Sequence, residues 1–505
     1  ALSLEKALNR LRVHEESWTT LLGLLGNQDV PALHRIFKQC KRRNWSIEKL
    51  VEKIRDALAG KYHPKNYSDV EYDLATTIYE LGGGATLFAL HKSMFAFPCL
   101  STLDERRQEF KLRISIGSLK MSDLFHNIKI MFEDDTPGLR RVGMSLLMDE
   151  ISCDERLCYL AGTDDIAGLC EHAAEQFSSM KVGQDLEVVR AIAQAVRSGK
   201  VDVGGEVFVM AMARNDEVGY GARPIALVVV CKKKTYRHAS LTIEMGRQAW
   251  RLSPYGDRLH GPIWSIASDG DPKRRPALYL HCMVRELLPT DPLFSQLVGL
   301  VGLNLWVGSG GETQDLDFKH NFKRICKCLC AREGILINNV VITKSVLASW
   351  FARLTDTDWS EDTAFSLLNN SSGAAQRINS LLSPKDAQDV PRAIKLLTVT
   401  ADLRKLDNSN FDPSEQVTFH SLSLLGEMLD ALVEPFINPD FSLSEQIISL
   451  VKFAFIACAL FMKHEGDFMP HHLYSDLQCM VRTAIFRVAH TKNLDPSMKV
   501  FLCLL

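Results

Sequence analysis

The sequence predicts an α/β core set inside a mostly α-helical chain. Three observations carry this. Up to about residue 140, apolar residues recur at three- and four-residue spacing, as in "LEKALNRLRV" and "SIEKLVEKIRDALAGKY". From 141 to about 310, short β-branched or apolar runs alternate with helical ones. From about 315 the helical pattern returns. The expected organisation is a helical region 1–140, an α/β core 141–310 and a helical region 311–505.

The elements justify themselves in order. Ser46 with Lys49 three residues on opens one helix, and Gly60 is a fitting stop. "SDVEYDLATTIYELGG" is capped by Ser68 and Asp69 and is expected to end at Gly82. The following "LGGGA" comes after a helix and lacks Gly-Lys-Ser/Thr, so it reads as a helix stop and turn rather than a phosphate loop. Strands are expected at 142–152, 156–162, 206–214, 224–234 and 261–269, each bounded by charge or glycine. Helices are expected at 241–252 and 272–287, the second opened by Pro272. Beyond 315, amphipathic segments such as "DFKHNFKRICKCLCAR" and "HHLYSDLQCMVRTAIFRVAH" follow one another, punctuated by proline. No fixed-length repeat or low-complexity tract is present.

Bulk numbers narrow the function classes. A chain of 505 residues, 46% hydrophobic and 24% charged, is ordinary for a globular protein of roughly two to four domains. A net charge of −2 excludes a globally basic nucleic-acid coat but allows a local basic groove. The thirteen cysteines contain no CxxC pair, and the "CKCLC" run at 326–330 splays around a helix as a poor chelate. Scattered cysteines suit a reducing interior, nuclear or cytoplasmic. The apolar run "FAFIACALFM" (453–462) lies between Lys452 and Lys463 and reads as a buried core helix, so no membrane partner is expected.

Two acids stand out. Asp149 ends the first strand of the core, and Asp269 ends a later strand after a strand–helix crossover. Open α/β sheets place ligands outside the carboxyl ends of their strands. Two carboxylates on neighbouring ends would form a pair of hard oxygen ligands for Mg²⁺ or Mn²⁺. Their expected separation is about 4–8 Å, suited to bridging ions roughly 4 Å apart. The plain alternative is that each aspartate ends a strand at the surface. Asp271 before Pro272 reads as a helix cap, and Asp154, Asp164 and Asp165 read as turn residues. Strand alternation sends Glu150 to the opposite face from Asp149.

The core resembles that of P-element-type transposases, an RNase H-like DD(E) family. "LLMDEISCDERLCYLAGTDDIAGLCEHA" (146–173) resembles the family's first block, with Asp149 on the first catalytic aspartate. "GPIWSIASDGDPKRR" (261–275) resembles the second, with Asp269 on the second aspartate. "LDFKHNFKRICKCL" (316–329) is similar to a later block that opens a helical insertion, with Asp317, His320 and Lys323 on matching positions. "FAFPCLSTLDERR" (95–107) resembles a segment that precedes the core. The chain also looks like transposon-derived proteins of mushroom-forming fungi. The resemblance implies an RNase H-like mixed sheet, a large helical insertion over 311–505, and metal-dependent DNA cleavage and transfer using Asp149 and Asp269. It implies a third acid, a glutamate in a helix after the insertion. "KVFLCLL" resembles the strand before that helix, so the chain is expected to be truncated ahead of the third acid. The alternative is a catalytically inactive, domesticated module that binds DNA or protein.

Basic residues supply the expected DNA contacts. Lys319, Lys323 and Lys327 recur every four residues with Arg324 beside them. Lys273, Arg274 and Arg275 lie next to Asp269, and "CKKKTYRH" (231–238) adds further cations. Together they would line a phosphate-gripping groove, although a solvated helix face accounts equally for the lysine stripe. GTP enters only through the resemblance, since no Walker loop is present. A homo-oligomer is left open.

Overall fold

The computed structural model describes residues 2–500, except 31, 63–66, 94, 109–111, 136–139, 161–162, 184–185, 217–220, 232–234, 355–373, 384–385 and 387. Two compact units divide the chain, Ala1–Lys111 and Leu112–Leu505. The expected boundary at 140 therefore lies inside the second unit.

The first unit is helical. Its helices span Leu2–Asn27, Leu33–Arg43, Ile47–Leu58, Asp69–Lys92 and Leu100–Gln108. Ser46 caps the third by accepting the Lys49 amide, as its spacing predicts. Ser68 and Glu71 form a full capping box on the fourth. That helix does not end at Gly82: it kinks at Gly83, whose φ of 73° only glycine adopts cheaply, and resumes to Lys92. Ile36, Leu50, Val51 and Ile54 form the core.

The second unit carries the sheet. Helix α1 (Met121–Phe132) precedes strand β1 (Met144–Ser152). Strands β2 (Glu206–Arg214), β3 (Arg223–Val230), β4 (Ile263–Ser268) and β5 (Thr313–Leu316) complete it. The order is β3-β2-β1-β4-β5. β2 runs antiparallel to β1 and β3, whereas β1, β4 and β5 are parallel. This is the mixed sheet that the resemblance implies. A small hairpin, Cys158–Leu160 with Asp165–Ala167, follows β1.

Alternation along β1 sorts two faces. Met144, Leu146 and Met148 pack with Met210, Ile266 and Trp250 into one core. Helices α1, α2 (Tyr236–Leu252) and α3 (Arg274–Cys282) cover that face with Phe132, Ile243, Ala277 and Leu278. Leu147, Ala211, Ala213 and Ala267 form a small patch on the other face. After β5 come α4 (Phe318–Leu329), α5 (Val390–Asp402), α6 (Pro413–Ile437), α7 (Leu443–His464) and α8 (His471–Leu494). They share a large core around Phe322, Leu396, Leu425, Leu429, Phe453 and Leu477. α8 returns to the second face: Arg487 pairs with Asp315 at 3.0 Å and the Thr483 hydroxyl donates to the Gln314 carbonyl.

Three expectations need correction. The helix expected at 272–287 stops at Cys282, and Arg285–Glu286 then pairs with Trp306–Val307. β5 was not expected, because "TQDL" carries one apolar residue. α7 is not fully buried: Phe453, Ala457 and Leu460 face the core, but Phe455 is 53% and Met462 79% exposed. Among the described residues, Leu443–Asp467 is long and apolar enough to cross a membrane by length and composition.

Candidate active site at the carboxyl ends of three parallel strands

The sheet register builds the site. Met148 pairs with Ser268, and Ser268 with Leu316. The next residue on each strand is Asp149, Asp269 and Asp317. The Asp317 amide still donates to the Ser268 carbonyl at 3.1 Å, so the ladder runs on to this row. Parallel neighbours lie about 5 Å apart, so Asp269 stands one strand spacing from Asp149 on one side and from Asp317 on the other. Asp317 joins the pair only because β5 exists.

Each carboxylate has a distinct setting. Asp149 is open to solvent on one side, and its Oδ1 accepts the Glu150 amide at 2.9 Å. Loss of water on its other side raises its carboxyl above the ordinary value, and the Asp269 charge adds to this. Arg274 and His320 oppose the rise. Asp269 Oδ1 accepts from the Ser268 hydroxyl at 3.1 Å, the Asp271 amide at 3.1 Å and Arg274 Nη1 at 3.2 Å. Asp317 caps α4 through the Lys319 amide, and its Oδ2 lies 2.5 Å from His320 Nδ1. Burial alone would raise Asp317, but the His320 and Lys319 hydrogen bonds hold it below the usual carboxylate range. Asp271 takes the cap role expected of it, accepting the Lys273 and Arg274 amides at 2.7 and 3.2 Å.

The exit from β4 is locked from the helical region. Gly270 has φ 78°, where any side chain would be strained. An added Cβ would meet Arg324 Nη1 at 2.6 Å and Asp476 Oδ2 at 2.9 Å. Arg324 Nη2 donates to the Asp269 and Gly270 carbonyls, both at 2.9 Å. Its Nη1 reaches Asp476 on α8 at 2.7 Å, and Arg275 bonds the same carboxylate through Nε and Nη2.

The basic residues therefore divide. Arg274 is 5% exposed and pairs with Glu150 and Asp269. Burial brings its guanidinium down to about 10, against the pull of Asp149. Arg275 and Arg324 are spent on Asp476. These three do not form a solvated phosphate-binding wall, because internal carboxylates and carbonyls already claim them. Lys319 and Lys327 are exposed on α4; Lys323 is half-buried and donates to Gln388 at 2.6 Å. Lys273 is half-buried at the opening of α3. Lys232, Lys233 and Lys234 lie outside the described residues, as does the expected last strand from Phe501. In "CKCLC", Cys326 is buried, donates to the Ala393 carbonyl and is pushed up to about 12 by burial.

Among the described residues, no group of three or more His, Cys, Asp or Glu converges as a metal cage. Two hard oxygens remain, Oδ2 of Asp149 and Oδ2 of Asp269. Magnesium is commonly held by one or two carboxylates with water and phosphate filling its shell, and this donor set fits that mode.

A mixed five-stranded sheet with three aspartates in one row, inside a mostly helical chain, defines an α/β fold. The chain is similar to the Drosophila P element transposase in its strand transfer complex, with a TM-score of 0.51 and 13% identity. The likeness covers 90% of this chain and 88% of that one. No family profile matches the sequence, and no curated protein matches it.

Proposed function

We propose that this chain is the core of a transposase-derived DNA-binding protein whose ancestral chemistry is metal-dependent DNA strand cleavage and transfer. The observation that carries the reading is the row Asp149, Asp269, Asp317, one residue past the last parallel pairs of three strands. The solved neighbour is a transposase in a strand transfer complex, and its fold supports the same reading.

Asp149 and Asp269 would hold Mg²⁺ or Mn²⁺ through their free Oδ2 atoms. The ion, when bound, supplies Lewis-acid activation of water and a counter-charge for the phosphate oxygens. The chain's own residues do the rest. Arg324 fixes the Asp269–Gly270 backbone, and Ser268 with the Asp271 amide orients the Asp269 carboxylate. His320 donates from Nδ1 to Asp317 and so orients that carboxylate. Lys319, Lys323 and Lys327 on α4 supply the phosphate contacts, with Lys273 nearby. Every cysteine among the described residues is a free thiol, which supports a nuclear or cytoplasmic, reducing location.

A second reading is a catalytically inactive module that keeps the fold for binding DNA or protein. The guanidinium of Arg274 on Asp269 and Glu150 favours it. Nicking of supercoiled DNA with Mg²⁺ or Mn²⁺ by a protein extended through the implied third acid separates the two. Nicking that falls at least about 100-fold in Asp269→Asn supports the enzyme, in line with losing a ligand of a catalytic ion. Equal nicking by both proteins removes the active-site assignment. Salt-sensitive DNA binding with no nicking by either supports the module.

A further inference from the structure

Arg274 is placed against the interests of its own helix. It lies at the first position of α3, where the helix dipole disfavours a cation. It is nevertheless 5% exposed, and its Nη1 is engaged at the strand ends. Nη1 donates to the Met148 carbonyl, the Ser268 hydroxyl and Asp269 Oδ1, each at 3.2 Å. Nη2 pairs with Glu150, and the guanidinium lies 5.8 Å from the centre of the Phe208 ring. The group is thus held by residues of two strands, β1 and β4.

The charges explain the position. Asp149, Glu150 and Asp269 crowd the ends of β1 and β4. Asp317 already accepts hydrogen bonds from His320 and the Lys319 amide. One guanidinium stands where a cation is needed to offset the remaining acids. A divalent ion at Asp149 and Asp269 would then meet a permanent positive charge on the far side of Asp269. Charges about 5 Å apart interact appreciably even at a high effective dielectric.

We propose that Arg274 is an internal counter-cation that competes with a divalent metal ion for the Asp149–Asp269 pair. The inference rests on the reading of that pair as a cation site. The site takes metal only against the guanidinium's charge, so its affinity is set below that of an unencumbered pair of carboxylates. A purely supporting arginine makes the opposite prediction, because its loss would disorder Asp269 and weaken binding.

Mn²⁺ titration followed by electron paramagnetic resonance of the free ion tests this. Arg274→Gln removes the charge and keeps a hydrogen-bonding tip; Arg274→Met, which can pack on Phe208, serves if the glutamine variant does not fold. Folding is checked by circular dichroism and thermal melting. The expected result is Mn²⁺ binding at least ~10-fold tighter than wild type, as the loss of one nearby charge requires. Arg274→Lys, which keeps the charge, stays within about threefold. Unchanged or weaker binding in the neutral variants overturns the proposal. So does an equal gain in Arg274→Lys, which would make the effect steric. If wild type binds Mn²⁺, Asp269→Asn abolishes it and Arg274→Gln changes nothing, this inference alone falls. If neither wild type nor the folded neutral variants bind Mn²⁺, the cation-site reading falls with it.

Discussion

Asp476 is the residue whose loss should be felt most directly at the candidate site, although it lies on α8, more than 200 positions from Asp269. It is 2% exposed and holds two guanidiniums. Arg275 donates from Nε and Nη2 at 2.9 and 2.7 Å, and Arg324 from Nη1 at 2.7 Å. Arg324 in turn holds the Asp269 and Gly270 carbonyls. Asp476→Ala strands both cations. Breaking a buried pair costs about 3–5 kcal/mol. The arginine side chains are 20% and 27% exposed, so water recovers part of this and about 2–4 kcal/mol remains. Unfolding entropy of about 2.1 cal/mol/K per residue, over some 400 residues, turns this into a melting drop of roughly 2–5 °C. Asp476→Asn keeps the volume but loses the charge, and should show most of the loss. Urea denaturation measures the stability, and hydrogen exchange of the 268–274 amides reads the loop, which should exchange faster. A loss under about 1 kcal/mol in the alanine variant, with loop exchange unchanged, would refute the clamp; that is the size of an exposed ion pair.

Three further outcomes are expected. Gly270→Ala should lose about 1–3 kcal/mol in denaturant melts, because its φ of 78° and the close Arg324 and Asp476 atoms both oppose a Cβ; a neutral result would show that the loop relaxes freely. His490 stacks on Trp264 at 4.6 Å, and burial depresses its imidazole to about 4. The folded state therefore binds fewer protons than the unfolded one between about pH 6.5 and 4, and stability falls as pH drops through that window by at most roughly 3 kcal/mol. His490→Phe should flatten this part of the pH–stability curve, and an unaltered curve would place the pH dependence elsewhere. Lys319→Ala and Lys327→Ala should each weaken DNA binding whatever the sequence and lower the salt slope by about 1; an unchanged slope would remove α4 from the interface.

Much of the core was legible residue by residue. The sequence predicts β2 at its observed bounds because "EVFVMAMAR" is apolar between its two charged ends. Caps such as Ser46 and Asp271 follow from rules that span three residues. Asp269 follows its strand as the local pattern predicts, whereas β1 does not end at Asp149 but runs on to Ser152; Asp149 stands where the parallel pairing with β4 stops. The role of Asp317 was legible only through a resemblance. Local pattern failed at β5, because Thr313, Gln314 and Asp315 are polar yet buried. Their partners Thr483 and Arg487 lie some 170 positions away on α8. No local signal could have shown that a polar tetrapeptide is paid for by a distant helix.

The same distinction governs the charges. The chain order alone determined four of the five strands of the sheet to within a few residues, and that a basic cluster follows Asp269. Only the tertiary structure decided that Asp149, Asp269 and Asp317 share one row, since register depends on which strands become neighbours. It also decided that Arg274, Arg275 and Arg324 turn inward. A side chain's charge is a property of its residue, but whether that charge meets water, phosphate or a buried carboxylate depends on what folds back against it, and here Glu150 and Asp476 arrive from elsewhere in the chain.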